Sequence, residues 1–141
     1  MKILVAVDGS EFTKRMLAYW VAHEEWLGPE HTYTVLTVVQ TVPSRAAAVL
    51  DRAALQAYYA DEGEKTLHPI RAFLDQKNLN ATFLSKTGAS AGDVIAKTAE
   101  AEGFDLILLG SHGHGALGGL VLGSVSSHVL ARCKAPVLIV R

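Results

Sequence analysis

Residues 104–127 read FDLILLGSHGHGALGGLVLGSVSS. The run from Leu106 to Leu109 is short, apolar and unbroken, the signature of a strand covered on both faces. Glycines follow at 110, 113, 115, 118, 119 and 123, half of the twelve in the chain. After Gly123, Ser-Val-Ser-Ser opens a helical pattern with Val125, Val129, Leu130 and Cys133 on one face. The order is therefore strand, glycine-rich loop, helix N-terminus. Glycines without Cβ let backbone N–H groups turn inward into an anion-binding concavity, and the helix start adds unpaired N–H groups and a positive dipole end. A phosphate chain is the expected guest.

Three phosphate motifs compete for this loop. A Walker loop needs Gly-x4-Gly-Lys-Ser/Thr, and no lysine stands between Gly110 and Gly123. Gly113-x-Gly115-x-x-Gly118 matches the dinucleotide fingerprint, but that motif belongs after a first strand, opens directly into a helix and wants an acid about 20 residues on. Here the strand is a late one, and the place downstream is the apolar Val137–Val140. The third spacing, Gly110-x2-Gly113-x9-Gly123-Ser124, resembles the nucleotide-binding branch of the universal stress protein family. The opening ILVAVDGS, the segment GDVIAKTAEAEGFDLILLGSHGHG and the ending SSHVLARCKAPVLIVR resemble family blocks in family order. Residues 42–80 carry least of the likeness. One departure is His114, where the family commonly has Arg or Lys, so a charge contact to phosphate from that position is weaker and pH-dependent.

Composition sets the outer limits. At 141 residues the chain is expected to be one domain, 1–141, able to bury one substantial core. No apolar run approaches the eighteen or more residues of a spanning helix, and the run at residues 3–7 is too short for a signal-peptide core. A soluble, cytoplasmic protein with no membrane partner is the expectation. A net charge of −1 without a basic block argues against nucleic acid. The lone Cys133 leaves no internal disulfide or thiolate metal cage.

Taken in order, the chain alternates strand and helix. Residues 3–7 form an apolar strand broken by Asp8-Gly9. Ser10 caps a helix whose apolar positions Phe12, Met16, Tyr19, Trp20, His23 and Leu27 run to Gly28-Pro29. Residues 33–39 are a β-branched strand, and Thr41 to Ser44 a loop. Residues 45–76 are helical in propensity, with a kink or break expected near Leu67 because Pro69 lacks an N–H; the part up to about Leu55 is expected to be mobile or to act as a cover. Residues 81–86 form a strand and 87–89 a turn. Ser90-x-x-Asp93 caps a helix over 91–102 that buries Val94, Ile95, Thr98 and Ala99. Val137–Val140 is the last strand. Five strands alternating with helices imply an open, parallel α/β sheet with helices on both faces. The resemblance implies the order 3-2-1-4-5, in a Rossmann-like sheet of the adenine nucleotide alpha hydrolase kind. Ligands in such sheets sit beyond the carboxyl ends of the strands where the order reverses, here between the first and fourth strands.

The resemblance implies the site. Leu109, Gly110 and Gly113 wall the ribose and phosphates, with His112 and His114 lining the phosphate pocket or facing solvent. Gly123, Ser124, Val125 and Ser126 offer N–H groups and hydroxyls at the helix start. Ala6, Val7 and Asp8 match family positions against adenine and ribose, and the backbone of Val38 matches an adenine contact. Asp8 on its own could merely start a turn, and Ser124 could be a cap. The implied ligand is ATP, with AMP or ADP as alternatives, and Mg²⁺ alongside.

Other constellations compete with this one. His112 and His114, with His128 further on, suggest a metal site, but the His-x-His pair lacks a clear third and fourth ligand. Gly88-Ala89-Ser90-Ala91-Gly92 fits a nucleophile elbow, with Asp105 and His112 downstream in hydrolase order. Against that, Ser90 is fully explained as a helix cap. An apolar Val137–Val140 at the sheet edge would invite aggregation unless covered, and antiparallel pairing with a second copy removes the hazard, as the family also implies. Two functions stay open: a nucleotide-dependent stress or regulatory protein with an unidentified protein partner, and an enzyme that slowly hydrolyses ATP or autophosphorylates at Ser124 or Ser126. The absence of a Walker lysine and an arginine finger weighs against fast hydrolysis.

Overall fold

Strands buried on both faces need apolar residues at every position, and Ile3, Leu4 and Val5 are each wholly shielded from solvent. The computed structural model describes residues 1–114 and 122–141. Glycines 115, 118 and 119, and with them the dinucleotide-like match, lie outside the described residues. Strands β1 (Lys2–Val7), β2 (Thr32–Gln40), β3 (Ala81–Gly88), β4 (Leu106–Gly110) and β5 (Val137–Val140) form one parallel sheet in the order β3-β2-β1-β4-β5. The helices are α1 (Glu11–Ala22), α2 (Glu24–Leu27), α3 (Ser44–Ala47), α4 (Arg52–Gln76), α5 (Ala91–Ala101) and α6 (Ser124–Arg132).

Alternate residues of β1 enter different cores. Ile3, Val5 and Val7 pack with Met16 and Trp20 of α1 and with Leu67, Ile70 and Leu74 of α4. Leu4 and Ala6 pack with Ile95 and Ala99 of α5 and Val129 of α6. The sheet is thus covered on both faces, and each fully buried aliphatic side chain contributes about 1.5–3 kcal/mol. The chain runs outward from β1 through β2 to β3, then returns to place β4 beside β1, with Ala6 opposite Leu109. That reversal brings together the exits of the two strands, Asp8 at the end of β1 and Ser111 at the end of β4.

Four elements differ from the sequence reading. The first helix does not run to Leu27: it ends at Ala22, and His23 (φ −123°, ψ 49°) separates it from α2. The indole Nε1 of the buried Trp20 donates to the Leu27 carbonyl at 3.2 Å, folding the second turn back onto the first. Pro69 does not break its helix: α4 is continuous from Arg52 to Gln76. Pro69 sits on the exposed face, and Lys65, whose carbonyl loses its partner, is itself exposed. Tyr59, Gly63, Leu67, Ile70 and Leu74 bury the opposite side and hold both halves in line. The interruption comes earlier, between α3 and Asp51, where Val49 is 83% exposed. On α6, Leu130 points outward and is 46% exposed, so the buried stripe omits it. Val94 is half-buried, and Ala96 takes the deeper place.

Candidate functional site

Beyond the carboxyl ends of β1 and β4 lies a cleft of about 470 Å³. From β1 it receives Ala6, Val7 and Asp8; from β2, Leu36, Val38 and Gln40; from β4 and its exit, Leu109, Gly110, His112, Gly113 and His114; from the start of α6, Gly123, Ser124, Val125 and Ser126. Every position that the sequence suggests for a nucleotide therefore lines one cavity. Thr13, Leu36, Gln40, Ile95, His128 and the loop at residues 88–92 line it too. Of these, the sequence points to the loop and His128 only for other chemistry, and to Ile95 only as part of a buried helix face. Thr13 was concealed because it reads as an ordinary first-turn residue three positions after a cap. Leu36 and Ile95 read as plain core.

Asp8 terminates β1 and its carboxylate is spoken for on one side. Oδ1 accepts from the Ser10 amide at 2.9 Å and from the Thr13 hydroxyl at 2.8 Å. Oδ2 faces Gly113: a Cβ there would fall on that oxygen. Gly9 adopts φ +76°, which only glycine adopts at little strain, so the chain can turn from β1 into α1. The His114 imidazole donates from Nε2 to the Asp8 carbonyl at 2.7 Å, a link between residues far apart in sequence. Burial pushes the Asp8 carboxyl up, but hydrogen bonds from Ser10 and Thr13, and the neighbouring His114, outweigh it and hold the group below its ordinary 3.8. A carboxyl depressed in the folded state contributes stability above the unfolded value that is lost as pH falls through the folded one. Asp8→Asn should therefore be less stable than the parent at pH 7, with the gap closing below about pH 3.8. Thermal melts of the two proteins between pH 7 and pH 3 check this; a gap independent of pH would rule it out.

The start of α6 is lashed to the exit of β4. The Gly123 amide donates to the Ser111 carbonyl at 2.7 Å. The hydroxyl of the buried Ser126 donates to the carbonyls of Gly110 and Ser111, at 2.9 and 3.1 Å. Helices α1 and α5 begin with serine caps, Ser10 accepting from Thr13 and Ser90 from Asp93. Helix α6 begins with Gly123, a cap residue with no side-chain oxygen to give to the first turn. Ser124 is exposed.

The histidines go separate ways. His112 lies 4.9 Å from the Phe12 ring and is within 3.0 Å of the Ser111 hydroxyl. His128 pairs through Nε2 with Asp93 at 3.0 Å, and Arg132 joins the same carboxylate at 3.3 Å. These two partners, His128 first, hold the Asp93 carboxyl below its ordinary value. Among the described residues no cluster of three or more metal-ligating side chains occurs. The hydrolase constellation does not assemble: Asp105 accepts from the Lys2 amide at 2.6 Å at the amino end of the strands, the opposite end of the sheet from Ser90 and His112.

Comparison with known proteins agrees with this architecture. The family model described as the universal stress protein family matches residues 1–141. A universal stress protein of Thermus aquaticus is 34% identical over 139 residues, covering 99% of this chain and 97% of its own. The YxiE universal stress protein of Bacillus subtilis is 31% identical over 151 residues, covering 99% and 98%. The solved structure of MJ0577, a universal stress protein of Methanocaldococcus jannaschii, superposes with a TM-score of 0.82 at 27% identity, covering 99% of this chain and 94% of that one. At lower identity, 19% and 17%, the same fold recurs in a universal stress protein in complex with cAMP and in an Arabidopsis thaliana relative with AMP bound, with TM-scores of 0.64 and 0.63. Among the described residues no helix is long and apolar enough to cross a membrane. The chain belongs to the universal stress protein family.

Proposed function

We propose that this chain is a regulatory protein that holds an adenine nucleotide in the cleft between β1 and β4. ATP with its magnesium ion is the first choice, and ADP or AMP the alternatives. The observation that carries the reading is the meeting, at one point, of a carboxylate, a glycine floor and a helix start whose cap residue is Gly123. Asp8 offers Oδ2 as an acceptor for ribose hydroxyls, which selects a nucleoside without opposing a more distant phosphate. Leu36, Val38, Ile95 and Leu109 supply the apolar slot a base needs. The backbone of Gly110 and Gly113 and the first turn of α6 receive the phosphates. A helix start contributes about 0.3–1 kcal/mol per charge interaction, so affinity is collective. Among the described lining residues Asp8 is the one carboxylate, so magnesium would arrive held by phosphate oxygens and water. Two proteins of this fold carry cAMP and AMP, which supports the reading.

Titration calorimetry with ATP and Mg²⁺ tests the reading, with adenosine and inorganic phosphate as controls. Saturable binding of ATP, stronger than either fragment, is expected. No heat with any adenosine phosphate would refute it. The enzymatic alternative is a slow ATPase or an autophosphorylation. Ser124 is then the acceptor of choice, because it is exposed whereas Ser126 is buried with its hydroxyl already donated. Phosphate release at ordinary enzyme rates, above about 1 s⁻¹, would favour that alternative. Two copies are proposed to pair through β5, so that nucleotide occupancy is reported to a partner by a homodimer.

A further inference from the structure

The geometry points to Thr13 as the residue that sets ribose selectivity, by fixing which oxygen of Asp8 faces the cleft. This rests on the nucleotide-binding reading and adds a residue to it. Thr13 is 4% exposed and lines the cleft. Its Oγ1 accepts from the Asp8 amide at 3.1 Å and donates to Asp8 Oδ1 at 2.8 Å. With the amide already on the oxygen, the hydroxyl proton is directed at the carboxylate, and burial keeps water from competing for it. The Ser10 amide takes the same Oδ1 at 2.9 Å. Two donors therefore pin one carboxylate oxygen, and Oδ2 is left turned toward Gly113.

The place of Thr13 in α1 is informative. It is the third helical residue after the Ser10 cap, where a glutamate commonly reaches back to the cap's amide. In this chain the Ser10 amide goes to Asp8 instead, and the Thr13 amide to the Ser10 hydroxyl at 3.3 Å. A β-branched hydroxyl residue there has few χ1 rotamers to choose from, which limits its freedom to leave Asp8. The helix cap and the site carboxylate have become one hydrogen-bonded unit. A carboxylate free to rotate would offer either oxygen to a ribose; a pinned one offers a single acceptor at a single place, so loss of one ribose hydroxyl is felt strongly.

Thr13→Val is isosteric and removes both hydrogen bonds; Thr13→Ser retains them. By calorimetry, Thr13→Val should bind ATP about tenfold more weakly and should lose most of the parent's preference for ATP over 2′-deoxy-ATP, while Thr13→Ser keeps both. In the ligand-free protein, carbon NMR of the Asp8 carboxyl should show its titration moving upward in Thr13→Val only. Unchanged nucleotide preference together with an unmoved Asp8 titration in a folded Thr13→Val would overturn the assignment. If the parent bound no adenosine phosphate, yet the Asp8 titration moved, the nucleotide reading would fall while the control of Asp8 by Thr13 stood.

Discussion

Gly123→Val should give a folded protein whose affinity for ATP has dropped by about a hundredfold or more. A Cβ at this position would lie 3.0 Å from the His112 Cα and 3.2 Å from the Ser111 carbonyl oxygen. Both are backbone atoms and cannot rotate out of the way. The start of α6 must then withdraw from the exit of β4, stretching the 2.7 Å bond from the Gly123 amide to Ser111. Phosphate contacts made by several N–H groups at once depend on all of them converging, so a shift of part of an ångström removes most of the sum. The fold survives because the strain is confined to the loop, whereas Val129 and Ile95 stay packed beneath the sheet. Overpacking of this kind costs about 1–3 kcal/mol, a fall in Tm of several degrees. Gly103→Ala is the matched control. Its φ of +64° makes any side chain strained, yet nothing lies within 4 Å of the added carbon and it is remote from the cleft. It should lower Tm by a similar amount and leave ATP binding alone. Retention of ATP affinity in folded Gly123→Val would remove the helix start from the site.

The strands, the helix starts and the two-faced sheet were accessible from the chain because their signals are local. Unbroken apolar runs such as Ile3-Leu4-Val5 mark strands with no solvent face, and Ser10 and Ser90 mark helix starts by their own hydrogen-bonding capacity. The order itself, and with it the position of the cleft, came through family likeness, since nothing in β2 or β4 alone says that each lies beside β1. The misreadings have tertiary causes. Whether Pro69 breaks a helix depends on which side of α4 it occupies, and that is set by how Leu67 and Ile70 meet the sheet. The end of α1 at Ala22 is decided by an indole bonding to a carbonyl seven residues on. Thr13 joins the site only through its hydrogen bonds to Asp8, and His114 meets the Asp8 carbonyl from 106 residues away in sequence. Glycines, by contrast, were conspicuous in advance, because clustering them is entropically expensive unless the backbone is used.

On the proposed pairing through β5, Ile139→Pro should give a monomer with little loss of fold. The expectation rests on which backbone groups of β5 point at β4. The Pro136 carbonyl accepts from the Ile107 amide at 2.9 Å and the Val140 carbonyl from the Ser111 amide at 2.8 Å. Backbone groups alternate in direction along a strand, so those of Leu138 also face β4, while those of Val137 and Ile139 face away from the sheet. Since β5 is outermost, these outward groups are the ones a second copy would pair with. Proline at 139 deletes an outward N–H and projects its ring into the space a partner strand would occupy, and edge strands tolerate it on that side. Leu138→Pro supplies the contrast: its missing N–H would be one given to β4, so it should destabilise the fold itself by about 3 kcal/mol or more. Sedimentation at micromolar concentration, with circular dichroism melts alongside, distinguishes the two. A parent that sediments as a monomer, or a folded Ile139→Pro that stays dimeric, would mean that β5 is not the surface on which two copies meet.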